Sequence, residues 1–288
     1  MSTVGAVSEA VSSRPVIRVR GGPEQLDDDL VVEEPVEIRL DGTALAVVMR
    51  TPGNDAELAR GFVITEGIVS GPDQVQSVVD LGEGRWEVRL ARGLSVDPAR
   101  FQRNFYASSS CGVCGKASID AIRVAGAVPP HGPVVGADVL LGLPGRLLAQ
   151  QHAFHSTGGI HAAGAFEPDG RLVAVREDVG RHNAVDKLVG HLATTRWPIR
   201  DLGLVVSGRV SFEIVQKAAV AGLSLVCGVS AASSLAVDLA EEFHMTVVGF
   251  LRENGFTIYT GDDRVVVFSP GSEASIGGLS PEATEGAG

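Results

Sequence analysis

The sequence predicts an α/β protein in two parts, an N-terminal α+β lobe built on β-hairpins and a C-terminal α/β domain. Asp41-Gly42 separates two alternating runs, Val36–Leu40 and the stretch carrying Leu45, Val47 and Met49. Asp-Gly between such runs signals a hairpin, because a type I′ turn needs positive φ at both central residues. From Leu202 onward, short apolar strands at Leu204–Val206, Leu225–Cys227 and Thr246–Phe250 alternate with helical stretches. That alternation implies parallel βαβ units. At 29.9 kDa, with 44% hydrophobic and 20% charged residues, the chain can bury a sizeable core and is not disordered as a whole.

Residues 1–14 are small and polar and are expected to be disordered. The lobe then spans 15–107. Arg18 and Arg20 alternate with Ile17 and Val19 in a strand ending at Gly21-Gly22-Pro23. After the Asp41-Gly42 hairpin, Asn54 with Glu57 can cap a helix presenting Leu58, Phe62 and Thr65 on one face. A second hairpin follows, Val75–Leu81 with Trp86–Leu90 around Gly82-Glu83-Gly84. Residues 108–117 form a Gly-flexed loop that closes the lobe, and the second domain runs from 118 to 270. In it, Ile119 and Ile122 suggest a short helix, broken by Pro129-Pro130-His131-Gly132-Pro133. Asp138 caps a longer helix through Leu148, interrupted near Pro144. A third hairpin joins Ile160–Phe166 to Leu172–Arg176 across Pro168-Asp169-Gly170. Helices follow the first two C-terminal strands, through Ala221 and over Ser230–Glu242. Residues 271–288, rich in Gly, Ser, Glu and Pro, read as a flexible tail.

Charge and composition remove several classes. A net charge of -11 without a basic tract argues against a long nucleic-acid partner. No apolar run reaches the roughly 20 residues of a membrane span, and Met1–Ser13 lacks the apolar core of a signal peptide. Three cysteines do not make a secreted disulfide framework, so a cytoplasmic protein is expected.

Two of those cysteines stand in Ser108-Ser109-Ser110-Cys111-Gly112-Val113-Cys114-Gly115-Lys116. Small neighbours leave a thiol there nothing to be buried against, and Lys116 favours the thiolate, the form that attacks sulfur or binds a metal. Spacing alone leaves sulfur relay, dithiol exchange and half a zinc site open. Cys227, between Val226 and Gly228 in an apolar strand, is expected to pack as a small hydrophobe.

The densest ionisable cluster is Arg176-Glu177-Asp178-Val179-Gly180-Arg181-His182-Asn183, between a strand and a helix that Asn183 can cap. It can move protons and hold an anion, or simply be a satisfied polar network. His161-Ala162-Ala163 invites comparison with the zinc deaminases, whose H-x-E signature precedes P-C-x-x-C. Here Ala163 stands where the proton-carrying Glu belongs and the cysteine pair comes first, which excludes that chemistry. Ser207-Gly208-Arg209-Val210-Ser211 offers hydroxyls, a guanidinium and a helix start, a combination suited to phosphate. Arg252 and Asn254 close the third strand. Ligands of parallel sheets sit beyond the strands' carboxyl ends, so the loops starting at Ser207, Gly228 and Leu251 should line one rim.

In combination these motifs resemble one family. Cys111-Gly112-Val113-Cys114-Gly115, Thr157-Gly158-Gly159-Ile160-His161-Ala162, Arg176 through Lys187, Ser207-Gly208-Arg209 and the Phe250–Gly255 strand end before Tyr259 occur in that order. Together they resemble the formate dehydrogenase accessory sulfurtransferase family, FdhD, from about Val36 to Tyr259. The resemblance implies a C-terminal fold similar to the cytidine deaminases, without their zinc. It implies sulfur taken from a cysteine desulfurase as a persulfide on Cys111 and passed to molybdenum in the bis(molybdopterin guanine dinucleotide) cofactor. That cofactor, bound as a substrate, is destined for formate dehydrogenase. By the same resemblance Phe250, Leu251, Arg252, Glu253, Asn254 and Gly255 belong to the cofactor site, with Ser207, Gly208 and Arg209 beside them. Cys114 can help release the sulfur. No resident metal is implied, and a homodimer is an admissible assembly. The competing readings are a zinc-stabilised module using Cys111, Cys114 and two histidines, with His152 and His155 as candidates, and a dithiol-redox module.

Overall fold

The structure, a computed structural model, describes residues 10–97 and 132–267. Cys111, Cys114, the expected loop 108–117, the short helix around Ile119 and Ile122, and the tail 271–288 lie outside the described residues.

The chain opens with a two-stranded antiparallel ribbon, β1 (Val11–Val19) and β2 (Pro23–Val31). The first strand begins at Val11, inside the stretch expected to be disordered. The second was hidden by its acidic run Asp27-Asp28-Asp29. Beyond its base, where Val11 and Val31 pack against Ala153 and Ile160, the ribbon is largely exposed and needs no apolar alternation. Cross-strand charge pairs such as Arg18–Asp28 at 3.3 Å replace it.

A four-stranded sheet in the order β4-β3-β6-β5 follows, from β3 (Glu34–Leu40), β4 (Thr43–Arg50), β5 (Val75–Gly82) and β6 (Arg85–Leu90). Both expected hairpins form, and Asp41 (φ 42) and Gly42 (φ 84) take the positive φ that the Asp-Gly turn requires. A bulge between Ile38 and Arg39 breaks the simple alternation of β4. Leu45 and Ala46 both turn inward, whereas Val47 is 63% exposed. Helix α1 (Asp55–Thr65) lies on this sheet. Asn54 does occupy its N-cap, but in a left-handed conformation (φ 59) and without a side-chain cap bond.

The second sheet has six strands in the order β13-β12-β11-β10-β8-β9. Here β8 (His161–Phe166) and β9 (Leu172–Asp178) are the third hairpin. β10 (Gly203–Val206), β11 (Leu225–Gly228) and β12 (Thr246–Arg252) run parallel, as the βαβ pattern requires. β13 (Gly255–Thr260) returns antiparallel to β12, and β8 pairs antiparallel with β10, so the sheet is mixed. A short parallel pair, β7 (Val135–Gly136) with β14 (Val265–Val266), stands apart.

Two helices precede the sheet, α2 (Ala137–Leu148) and α3 (His152–Thr157). α2 runs unbroken through Pro144, and its N-cap is Gly136 rather than Asp138, which sits in the first turn. Leu140, Leu143 and Leu147 of α2 cover one sheet face, packing on Phe166, Val205, Leu225, Cys227, Val248 and Leu251. Cys227 is fully buried there, as its apolar setting predicts. The other face is covered by α4 (Arg181–Leu192), α5 (Phe212–Ala221) and α6 (Ser234–Glu242).

One core runs through both parts. Ile38, Leu40, Phe62 and Val63 of the N-terminal part share a buried cluster with Leu188, Val215, Val226 and Leu239. Helices α1 and α4 meet at Gly61 and Gly190, and buried ion pairs cross the same seam. Lys217 Nζ lies 2.6 Å from Glu66 and 2.9 Å from Asp186, whose other oxygen neighbour is the Thr65 hydroxyl at 2.6 Å.

Candidate functional site

The polar segments converge on the edge of the six-stranded sheet where β10, β11 and β12 end. The loops after these strands are laced by backbone bonds. Val229 N–H donates to Val206 O (3.0 Å), Val210 N–H to Ala231 O (3.0 Å), and Phe250 N–H to Ser230 O (2.9 Å). Arg252 Nη1 donates to the carbonyls of Leu251 (3.0 Å) and Val229. The three loops expected to share a rim therefore do so. Close approach requires glycine at two points. A Cβ on Gly228 would lie 2.5 Å from Val210 Cγ2, and one on Gly249 would lie 3.1 Å from Ser230 O.

The Phe250–Gly255 segment is the end of β12 and its turn into β13. A register shift separates Gly249 from Arg252, and Phe250 sits at φ 51 with half its surface exposed. A bulky residue in the left-handed region is strained, and such strain clusters at ligand clamps. The geometry divides the predicted residues. Phe250, Arg252, Glu253 and Asn254 are exposed, Gly255 is half-buried, and Leu251 points into the core beneath α2. Leu251 thus anchors the segment rather than facing a ligand.

Beside this rim lies a second group that the sequence presents as separate motifs. Because β8 runs antiparallel to β10, its first residue, His161, stands by the end of β10. Ser207 N–H donates to Ala162 O (3.0 Å), and Ala162 N–H donates to the Ser207 hydroxyl (2.9 Å). A Cβ on Gly208 would be 3.3 Å from His161 Nδ1 and 3.9 Å from Arg181 Cδ. His182 Nε2 is 3.4 Å from the Ser211 hydroxyl and 3.7 Å from a Glu213 carboxylate oxygen. Ser211 holds the N-cap of α5 without a side-chain cap bond, its hydroxyl being directed to these neighbours. Burial pushes the His182 imidazole down to about 4, helped by the Arg181 and Lys217 charges, so it is neutral at pH 7. Burial and Arg181 lower His161 likewise. Arg209 is exposed.

The cluster from Arg176 to Asn183 splits into two kinds of residue. Asp178 is wholly buried and pairs with Lys187 Nζ at 2.7 Å, while accepting from Thr51 N, Gly180 N and Asn183 Nδ2. Glu177 accepts the N–H groups of Ala153 and Phe154 at the start of α3 (3.0 and 2.9 Å). Arg176 grips Glu57 of α1, which also meets His191 Nδ1 at 2.9 Å. All three are satisfied, and Arg176 and Asp178 bind the two parts together through Glu57 and Thr51. Asn183 is not the N-cap of α4. Gly180 is, and Asn183, one turn further on, donates to Met49 O (2.8 Å). Arg181 and His182 are the members that face the rim. Sequence reading did not single out His161 as their neighbour; the signal was its hairpin, which brings β8's start to β9's end.

Among the described residues no group of three or more His, Cys, Asp or Glu could hold a metal ion. Nor is any of their helices long and apolar enough to cross a membrane.

The described residues thus define an α/β protein whose mixed sheet carries a polar rim at its strand ends. The same fold occurs in the crystal structure of a candidate formate dehydrogenase accessory protein from Desulfotalea psychrophila. The TM-score is 0.72 at 20% identity, covering 89% of this chain and all of that one. The FdhD/NarQ family model matches residues 31–266, and the chain belongs to that family. It is 48% identical over 278 residues to the sulfur carrier protein FdhD of Streptomyces coelicolor, covering 92% of this chain and 98% of that one. It is 44% identical over 256 residues to the protein of the same name from Sulfurisphaera tokodaii, covering 87% and 97%.

Proposed function

We propose that this chain is a cytoplasmic sulfur carrier acting as a sulfurtransferase in formate dehydrogenase maturation. Cys111 takes the terminal sulfur of a cysteine desulfurase persulfide and delivers it to molybdenum in the bis(molybdopterin guanine dinucleotide) cofactor, bound as substrate. The observation that carries the reading is family membership across nearly the whole chain, with relatives named as sulfur carriers. The Cys111-Gly112-Val113-Cys114 sequence supplies the thiols. In the first step the Cys111 thiolate attacks the outer persulfide sulfur, and the desulfurase cysteine leaves as thiolate. In the second, Cys114 attacks the inner sulfur of the Cys111 persulfide. Sulfide leaves, the two cysteines become a disulfide, and their thiols have supplied both electrons.

The rim of β10, β11 and β12 is the proposed cofactor site. Arg252 keeps its other guanidinium donors unpaired among the described residues, and Arg209 is exposed beside the start of α5. We read the six-stranded part as cytidine-deaminase-like, with a buried methyl group, Ala163, where a deaminase carries its acid.

The test is intact-mass analysis after incubation with a cysteine desulfurase and cysteine. One added sulfur, removed by a thiol reductant, is expected. Stoichiometric zinc surviving purification, with unfolding on chelation, would sink the reading in favour of the zinc-stabilised module.

A further inference from the structure

Arg181 is the unexplained residue of the rim. Its Nε is buried and has no hydrogen-bond partner among the described residues. Its neighbours Arg176 and Lys187 are both committed to carboxylates, Glu57 and Asp178. A buried guanidinium donor without an acceptor costs free energy that a bound oxyanion would recover. What surrounds it suits such a ligand. Gly208 faces both the His161 ring and the Arg181 side chain, leaving open the space a Cβ would fill. His182 and the Ser211 hydroxyl stand on the neighbouring helix starts, with Arg209 exposed on the same loop. Of the nearby carboxylates, Asp178 is committed to Lys187 and Glu213 lies against His182, and neither makes an ion pair with Arg181 among the described residues.

We infer that Arg181, with His161, His182 and Ser211 around Gly208, forms an oxyanion pocket that takes a diphosphate group. This rests on the reading of the rim as a nucleotide-cofactor site and adds to it a phosphate position at the end of β10. Arg252, at the end of β12, stands two strands away, about 10 Å along the sheet edge. A nucleotide diphosphate is long enough to reach from one to the other, with its base towards the β12 end.

The pocket is tested on the full chain with inorganic pyrophosphate and, separately, with GDP, by calorimetry. Pyrophosphate should bind the native protein, and Arg181→Gln should weaken it about 10- to 100-fold, the usual worth of charged hydrogen bonds. Arg181→Lys, which keeps the charge but not the Nε donor, should lose several-fold and serves if the Gln variant does not fold. Arg85→Gln, at the start of β6 in the other sheet, should bind as the native protein does. The His182 ring should show in NMR a rise of its low pKa on binding. The groups facing it are Arg181 on α4, Lys217 and Glu213 on α5, and His161 on β8. The anion then offsets the two cations. Unchanged affinity in both Arg181 variants overturns the pocket, as does failure of pyrophosphate to bind the native protein. GDP binding without pyrophosphate binding leaves the nucleotide rim standing and removes the pocket. Arg181-dependent pyrophosphate binding without GDP binding does the reverse.

Discussion

Gly61 and Gly190 meet at the crossing of α1 and α4, with no room between them for a single carbon. A Cβ on Gly61 would lie 1.8 Å from Asp186 O, and one on Gly190 would lie 1.9 Å from Glu57 O. The obstacle in each case is helix backbone, which cannot rotate away. Because α1 rests on one sheet and α4 on the other, this contact sets how the two parts join. Gly61→Ala should therefore destabilise by about 3 kcal/mol or more, despite alanine's better helix propensity. The measurement is the denaturant midpoint. An unchanged midpoint would show that the crossing relaxes freely.

Lys217 is the cation of the same seam. It is buried with Asp186 and also pairs with the half-buried Glu66, so Lys217→Met should cost about 3–5 kcal/mol by leaving the buried Asp186 carboxylate unpaired. Burial already pushes the Asp186 carboxyl up to about 6, against the downward pull of Lys217. Without the lysine it rises further. A carboxyl whose folded pKa exceeds its unfolded value holds its proton more tightly when folded, so stability is gained as pH falls through the folded value. The deficit of Lys217→Met should thus be largest in alkali and shrink as pH falls through the variant's raised value to about 6, as read by chemical denaturation across that range. Below about 6 the native carboxyl is protonated as well. A deficit independent of pH would place the loss in packing instead.

Phe250 combines backbone strain with an exposed ring. Left-handed backbone costs a side-chain-bearing residue about 1–2 kcal/mol that glycine does not incur. Phe250→Gly should therefore melt no lower than the native protein. If the ring serves the ligand, GDP affinity should fall in the same variant. A lower melting temperature with unaltered GDP binding would make Phe250 a packing residue.

The hairpins at Asp41-Gly42 and Pro168-Asp169-Gly170 and the three parallel strands were legible because turn chemistry and apolar period agree there. β2 was not, because a solvent-exposed ribbon carries no apolar period. Pro144 misled because the N-terminal turn and the core leucines Leu140, Leu143 and Leu147 hold α2 together around it. At the rim, Arg209, Arg252 and Asn254 are exposed as their loop positions predict, but spacing did not show that Leu251 faces inward, since a bulge resets the alternation of β12. Nor did spacing separate Asp178 from Arg181, which stand three residues apart on opposite duties. Only the pairing with Lys187 and Thr51 distinguishes them.

Cys227 is fully buried in an apolar cluster, and burial pushes its thiol far up, so it offers neither thiolate nor access. Thiol-labelling of the native protein should spare it, and Cys227→Ala should keep persulfide formation, with a packing loss of about 1 kcal/mol. Cys111→Ala should gain no sulfur from a desulfurase and should leave formate dehydrogenase inactive in a complemented strain. Cys114→Ala separates loading from release. A persulfide that forms on Cys111 but is not delivered makes Cys114 the releasing thiol, whereas unimpaired delivery removes it from that step. Sulfur found on Cys114 in Cys111→Ala would reverse the two roles. Persulfide on neither cysteine would end the carrier mechanism, because Cys227, sealed beneath α2, cannot take their place.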